Sequence, residues 1–244
     1  MGISVQGKVA LVTGANRGIG KSIVDAFVKE GAKKVYLAVR NTETTTDLTQ
    51  KYGDKVVTVQ LDVTDDNGIK ALATEIQDLD ILVNNAGVLS PTDPLSDRVE
   101  EALELELNVN LFGLVRIAKA FAPQLEKHQG ALVQMNSVVS LRTFPHVSTY
   151  SASKAASYAI TQALRETLGE RGVQVLSVHP GPIETDMAKQ AGLEEGEAPS
   201  TVANGIVESL ANGDFHLFPD PMAKAFEAAY QGFSDAIVTA DLSE

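Results

Sequence analysis

Cysteine is absent from this chain. Disulfides, thiolate metal sites and cysteine nucleophiles are excluded, and the expected compartment is the reducing cytoplasm. Basic residues are scarce: 20 Lys and Arg stand against 32 Asp and Glu, a formal charge of −12. Nonspecific binding to nucleic acid or to an anionic membrane needs basic surface, so neither partner is expected. One anionic ligand in a locally basic pocket stays compatible with this balance. No apolar run approaches the length of a membrane span. The opening MGISVQGKVALVTG runs straight into a Gly-rich turn and does not read as a secretory leader. Gln6 stands where a myristoylation motif wants Ser or Thr. His128, His146, His179 and His216 lack metal-ligand spacing, so no metal is expected. No Gly-x-Ser-x-Gly elbow occurs, which removes a serine-hydrolase reading.

What the 244 residues do contain is a regular alternation. Short β-branched runs at 8–13, 34–39, 55–61, 80–85, 131–136, 173–178 and 215–218 read as strands. They are continuously apolar rather than alternating, which predicts strands covered on both faces. Amphipathic segments at 18–30, 43–51, 66–77, 97–127 (with a break), 150–170, 200–211 and 222–232 read as helices. Such alternation predicts an α/β fold: a doubly wound parallel sheet of about seven strands, with helices on both faces. Ligands then bind at the carboxyl ends of the strands. One domain over residues 1–244 is expected, with a variable substrate lid around 186–200 and a variable C-terminal segment at 213–244. The Gly- and Glu-rich stretch 189–201 reads equally as a lid or as a solvated loop.

LVTGANRGIGKSIVDAF passes from a strand through Gly14, Gly18 and Gly20 into a helix. Glycines permit a tight turn and a close approach of backbone to a phosphate, and the helix start offers free N–H groups. The spacing is Gly-x3-Gly-x-Gly, not the commoner Gly-x-Gly-x2-Gly. Thr13-Gly14-Ala15-Asn16-Arg17-Gly18-Ile19-Gly20 resembles the fingerprint of the short-chain dehydrogenase/reductase family. Further motifs follow in register: NNAG at 84–87, Ser137, the Tyr150-x3-Lys154 pair, and HPGPIETDM at 179–187. The resemblance runs from residue 7 to about 190 and implies a Rossmann-like, NAD(P)-dependent oxidoreductase.

The residue after the second strand meets the adenosine ribose in such folds; an acid suits a 2′-hydroxyl and an arginine a 2′-phosphate. Arg40 stands there, with no acid before Glu43, and Arg17 lies in the Gly-rich turn. The pair predicts NADP over NAD, although two exposed solubilising charges would look the same. The family mapping adds Asn16, Ile19, Asn41 and Val63 to the cofactor contacts. It sets Asp62 toward the adenine, with a turn acid as the other reading. Asn84, Ala86 and Gly87 lie beneath the ribose, and Pro180, Gly181, Ile183 and Thr185 lie around the carboxamide.

Tyr150 and Lys154 are one helical turn apart. Alone they read as a surface pair. Beside a nicotinamide, the ammonium favours the phenolate, so the tyrosine pKa is expected to move toward working pH. Lys154 is also expected on the ribose hydroxyls. The family places its substrate-orienting serine thirteen positions before the tyrosine; Ser137 fits and Ser140 fits worse. Asn110 resembles the helix asparagine that holds a relay water, with Asn108 as the alternative. Phe144, Val147 and Met187, with Val88 and Leu89, are expected to wall the substrate pocket, and His146 reads as either a specificity residue or a loop histidine. The expected activity is that of an NADP-preferring, carbonyl-reductase-like enzyme acting on a small carbonyl or secondary alcohol. A catalytically silent NADP(H) sensor is the other reading. The C-terminus lacks the Asp-Gly-Gly strand ending common in the family, which leaves a homodimer through 97–127 and 150–170, or a homotetramer, open.

Overall fold

The computed structural model describes residues 2–240; Met1 and the last four residues of the variable C-terminal segment lie outside them. Seven parallel strands form one sheet: β1 (Val9–Thr13), β2 (Lys34–Val39), β3 (Val56–Gln60), β4 (Ile81–Asn84), β5 (Ala131–Met135), β6 (Gln174–Val178) and β7 (His216–Leu217). Their order is β3-β2-β1-β4-β5-β6-β7. All five residues of β1 are buried, as are all five of β5, as expected for strands roofed on both sides.

Alternate β1 side chains enter two separate cores. Ala10 and Val12 pack with Ile23, Val24 and Phe27 of α1 (Gly18–Lys29) and with Val202, Ile206 and Leu210 near the chain's end. Leu11 packs on the opposite face with Leu72, Leu114, Ile117 and Phe121. Between strands on that second face run α3 (Asp66–Glu75), α5 (Gly113–His128) and α6 (Ser148–Gly169). The short α2 (Thr46–Tyr52) adds Leu48 to the first core.

The long helical segment expected to break does so by a change of hydrogen-bond pattern. α4 (Val99–Glu106) passes through a π-helical turn, Leu107–Phe112, into α5. Single π turns recur at functional sites because they re-aim side chains. The expected lid is partly ordered. Thr185 caps α7 (Asp186–Gln190), accepting from the Ala188 amide at 3.2 Å, and a bridge between Ile183 and Glu197 closes the loop before α8 (Pro199–Asn212). The expected last strand shrinks to the two residues of β7. Asp220 then caps α9 (Pro221–Phe233), with Pro221 at the first helical position.

Candidate active site

The strand order reverses between β1 and β4, and a cavity of about 870 Å³ opens beyond the carboxyl ends of the strands there. Its floor is the Gly-rich turn. Gly14 sits at φ +64° and Gly18 at φ +52°, a region that side chains disfavour. A Cβ on Gly20 would lie 2.2 Å from the Gly14 carbonyl. Arg17, at the N-cap of α1, makes no side-chain cap, so the helix's first amides are left for an anion.

Two motif residues given no role of their own from sequence hold this turn. Thr13 Oγ1 accepts from the amides of Asn85 and Ala86, each at 2.9 Å. Asn85 Nδ2 donates to the Thr13 carbonyl at 2.9 Å. β1 and β4 are thereby tied at the point where a ligand would rest. Of the residues expected to hold the cofactor, all line the cavity except Asn84. Asn84 is buried, and its Nδ2 donates to Gln134 Oε1 at 2.7 Å. As the last residue of β4 it turns its side chain into the sheet, while Asn85 faces the cavity.

At the outer end, Arg17 and Arg40 line the cavity with exposed side chains. Arg17 Nη1 pairs with Asp186 Oδ2 at 2.8 Å. Asp62 accepts from the Thr64 amide at 2.9 Å and hydroxyl at 2.7 Å. These bonds, with the Arg40 charge further off, hold its carboxyl below the usual carboxylate range. Asn41 spends its side-chain oxygen on the Glu43 amide.

Ser137, Tyr150 and Lys154 line the inner end together, with Phe144, Val147 and Met187. Ser137 Oγ donates to the Pro180 carbonyl at 3.2 Å. Ser140 is turned back to accept from the Ser137 amide and does not line the cavity, whereas Ser137 does. Lys154 is 3 % exposed, and its Nζ donates to the Met135 carbonyl at 2.6 Å. Its Nζ lies 5.7 Å from the centre of the Tyr150 ring. Burial lowers the Lys154 pKa to about 8.

For Tyr150 the shift runs opposite to the one expected beside a nicotinamide. Burial, and next the charge of Glu106, raise the phenol above its ordinary value. The ammonium on the same helix does not offset the loss of water.

Asn110 sits on the π turn but does not line the cavity. Its Oδ1 accepts from the Val88 amide and its Nδ2 donates to the Val88 carbonyl, both at 2.9 Å. Nδ2 also donates to Ser153 Oγ at 2.9 Å. The amide that was expected to hold a water is committed to backbone. A Cβ on Gly87 would lie 3.2 Å from Asn110 Oδ1 and 3.8 Å from Lys154 Nζ, so both side chains approach the Gly87 backbone. Asn108 lines the cavity, yet accepts from Arg116 Nη2 at 3.0 Å.

The HPG segment, His179-Pro180-Gly181, is anchored at both ends. Gly181 N–H donates to Asp220 Oδ2 at 2.6 Å. His179 is fully buried; its Nδ1 lies 3.2 Å from the Ser137 carbonyl and its Nε2 lies 2.7 Å from Ser177 Oγ. A carbonyl only accepts, so Nδ1 carries the proton and Ser177 donates to Nε2. Burial lowers the His179 pKa to about 3, so the ring is neutral. No group of residues with metal-binding geometry occurs among the described residues.

A model of the short chain dehydrogenase family matches residues 8–196. The chain is 35% identical over 199 residues to the 3-oxoacyl-[acyl-carrier-protein] reductase FabG of Vibrio cholerae, covering 79% of this chain and 80% of that one. It is 34% identical to galactitol 2-dehydrogenase of Agrobacterium fabrum, covering 82% of each. A short chain dehydrogenase from Burkholderia cenocepacia, solved in complex with NADP, superposes with a TM-score of 0.87 at 31% identity, over 98% of this chain and 100% of that one. The chain belongs to the short-chain dehydrogenase family. It is an oxidoreductase acting on CH–OH or carbonyl groups.

Proposed function

We propose that this enzyme is an NADP(H)-dependent reductase of small, uncharged ketones or aldehydes, using Tyr150 as general acid. The observation that carries this reading is that one cavity holds Tyr150, Lys154 and Ser137 at its inner end and Arg17 and Arg40 at its outer end. The NADP in the Burkholderia structure supports the same cofactor here. NADPH, when bound, would supply the hydride for reduction, and NADP would accept it in the reverse direction.

The protein's own part follows from the contacts. The Ser137 hydroxyl leaves the Pro180 carbonyl and donates to the substrate oxygen, stabilising the negative charge that develops there. Tyr150, protonated because burial raises its pKa, donates its proton to that oxygen. Lys154 has three N–H bonds, and the Met135 carbonyl uses one. The others serve the ribose hydroxyls and the phenol. Asn110 acts as a positioning residue, fixing the Val88 backbone next to Gly87. Val88, Leu89, Phe144, Val147, Met187 and Leu193 form the substrate end, which suits an apolar carbonyl better than a polyol.

Residues 1–244 act as one cytoplasmic catalytic domain in this reading, with 186–200 covering the substrate end. The subunits pair as a homodimer or homotetramer through 97–127 and 150–170, a region where Leu105, Phe112 and Val115 are exposed. The test is oxidation of NADPH and NADH against a panel of ketones and aldehydes, with wild type and Tyr150→Phe. A fully active Tyr150→Phe variant sinks the acid–base role. Equal efficiency with both cofactors sinks the preference for NADP.

A further inference from the structure

Glu106 is a buried carboxyl with no assigned work. It is the last residue of α4, immediately before the π turn, and is 0% exposed. Oε1 accepts from the Ser90 amide at 2.7 Å. Oε2 is buried with no hydrogen-bond partner. The same is true of the Thr149 hydroxyl, which lies close enough to favour the carboxylate but outside hydrogen-bond geometry. Thr149 directly precedes Tyr150.

The surroundings hold no cation for this carboxyl. The π turn LNVNLF carries no ionisable side chain. From the 88–92 loop comes Ser90, and from α6 come Thr149 and Tyr150. At the N-cap of α4, Arg98 is exposed and lies 3.5 Å from Glu101, and on α4 itself Glu104 faces solvent. The other ionisable groups at the Tyr150 side are Lys154, held by Met135, and the exposed His146. The loop and the start of α6 are stitched together: the Thr92 amide donates to the His146 carbonyl at 2.9 Å, and Ser148 Oγ donates to the Thr92 carbonyl at 2.8 Å. Glu106 therefore sits inside a closed seam with Ser90 and Thr149, the residue before Tyr150, where a charge is poorly screened.

We propose that Glu106 is a positioning residue that tunes the proton transfer of Tyr150, its carboxyl holding the Ser90 amide and its charge opposing the phenolate. This rests on the reading of Tyr150 as the acid–base group. Burial raises the Glu106 pKa, so the carboxyl changes charge closer to neutral pH than an exposed glutamate. An ionised Glu106 makes the tyrosine a weaker acid; a protonated one lifts that opposition.

Glu106→Gln keeps the shape and the acceptor for Ser90 while removing the charge. The measurement is the pH profile of kcat/KM for alcohol oxidation with NADP, where the phenolate is the base. A difference titration of phenolate absorbance in NADP-bound protein, referenced to Tyr150→Phe, gives the same value without a substrate. The Glu106→Gln limb is expected about one pH unit below that of wild type. If Glu106→Gln does not fold, Thr149→Val serves instead. Losing the hydroxyl keeps the carboxyl protonated to higher pH, so the limb again moves down. A folded variant whose limb overlays that of wild type overturns the role of Glu106. An active Tyr150→Phe variant overturns the underlying acid–base reading instead.

Discussion

Lys154 Nζ donates to the Met135 carbonyl at 2.6 Å, fixing an ammonium that is 3 % exposed between the end of β5 and α6. That placement costs stability, because burial lowers the lysine pKa from 10.5 to about 8. Below pH 8 both folded and unfolded chains carry the proton, and the full cost, of about 3 kcal/mol, is present. Between pH 8 and 10.5 the folded protein binds fewer protons than the unfolded chain, so stability rises with pH.

Lys154→Met is therefore expected to remove most activity and yet raise Tm at pH 7. Losing the bond to Met135 offsets about 1 kcal/mol, which leaves a gain of about 4 °C. The gain should shrink as pH rises from 8 to 10.5. Calorimetry of both proteins across that range checks it; a lower Tm for the variant at pH 7 contradicts the cost assigned to the buried charge.

Arg17 and Arg40 are expected to differ in availability. Arg40 makes no ion pair among the described residues, whereas Arg17 is shared with Asp186 at 2.8 Å. Arg40→Ala should raise KM for NADPH by about tenfold to a hundredfold and leave NADH almost unchanged, since it loses a charge-assisted contact to a phosphate. Asp186→Asn should lower KM for NADPH by a few-fold, because an exposed pair holds Arg17 by about 1 kcal/mol at most. Steady-state kinetics with both cofactors separates the two. An Arg40→Ala variant that weakens NADH and NADPH alike would show that this arginine does not read the phosphate.

Most of the sheet could be read from residues alone, because strands buried on both faces are unbroken apolar runs. VALVT and KVYLAV fall in β1 and β2 for this reason. The short α7 was missed because DMAKQ has no apolar periodicity; only Thr185 as its cap could have shown it. The glycine turn and the Tyr150–Lys154 pair were legible because their spacing is local. Thr13, Asn85, His179 and Asp220 were not, since their work depends on which backbone group lies opposite. Asn84 and Asn85 are neighbours with the same side chain, and only the pleat of β4 decides which one meets the cavity.

Asp220 has two jobs that a single substitution should reveal. Oδ2 accepts from the Gly181 amide at 2.6 Å and Oδ1 from the Ala223 amide at 2.9 Å. Asp220→Ala loses a helix cap and strands a peptide N–H, for a loss of about 2–4 kcal/mol. The HPG segment should also loosen, raising KM for the cofactor more than it lowers kcat. Chemical denaturation and kinetics test this together. A variant destabilised by that amount but with unchanged cofactor KM would confine Asp220 to capping α9.

His179 links acid stability to Ser137, the serine proposed to meet the substrate oxygen. Burial holds His179 neutral down to about pH 3 and His216 down to about pH 4, against 6.5 for an ordinary histidine. Below pH 6.5 the unfolded chain takes up protons that the folded protein refuses, so stability falls as pH drops toward 4 and then 3. The two sites differ in consequence. His216 lies 2.7 Å from the Tyr158 hydroxyl, away from the cavity. A proton on His179 Nε2 would break the bond from Ser177, and the new charge would disturb the ring that supports the Ser137 carbonyl. His216→Gln should flatten the fall in denaturation midpoint between pH 6.5 and 4 while leaving kcat nearly unchanged. His179→Gln should flatten the fall further toward pH 3 and lower kcat as well, because Ser137 loses its support. Parallel stability slopes for wild type and both variants would mean that other groups drive acid unfolding.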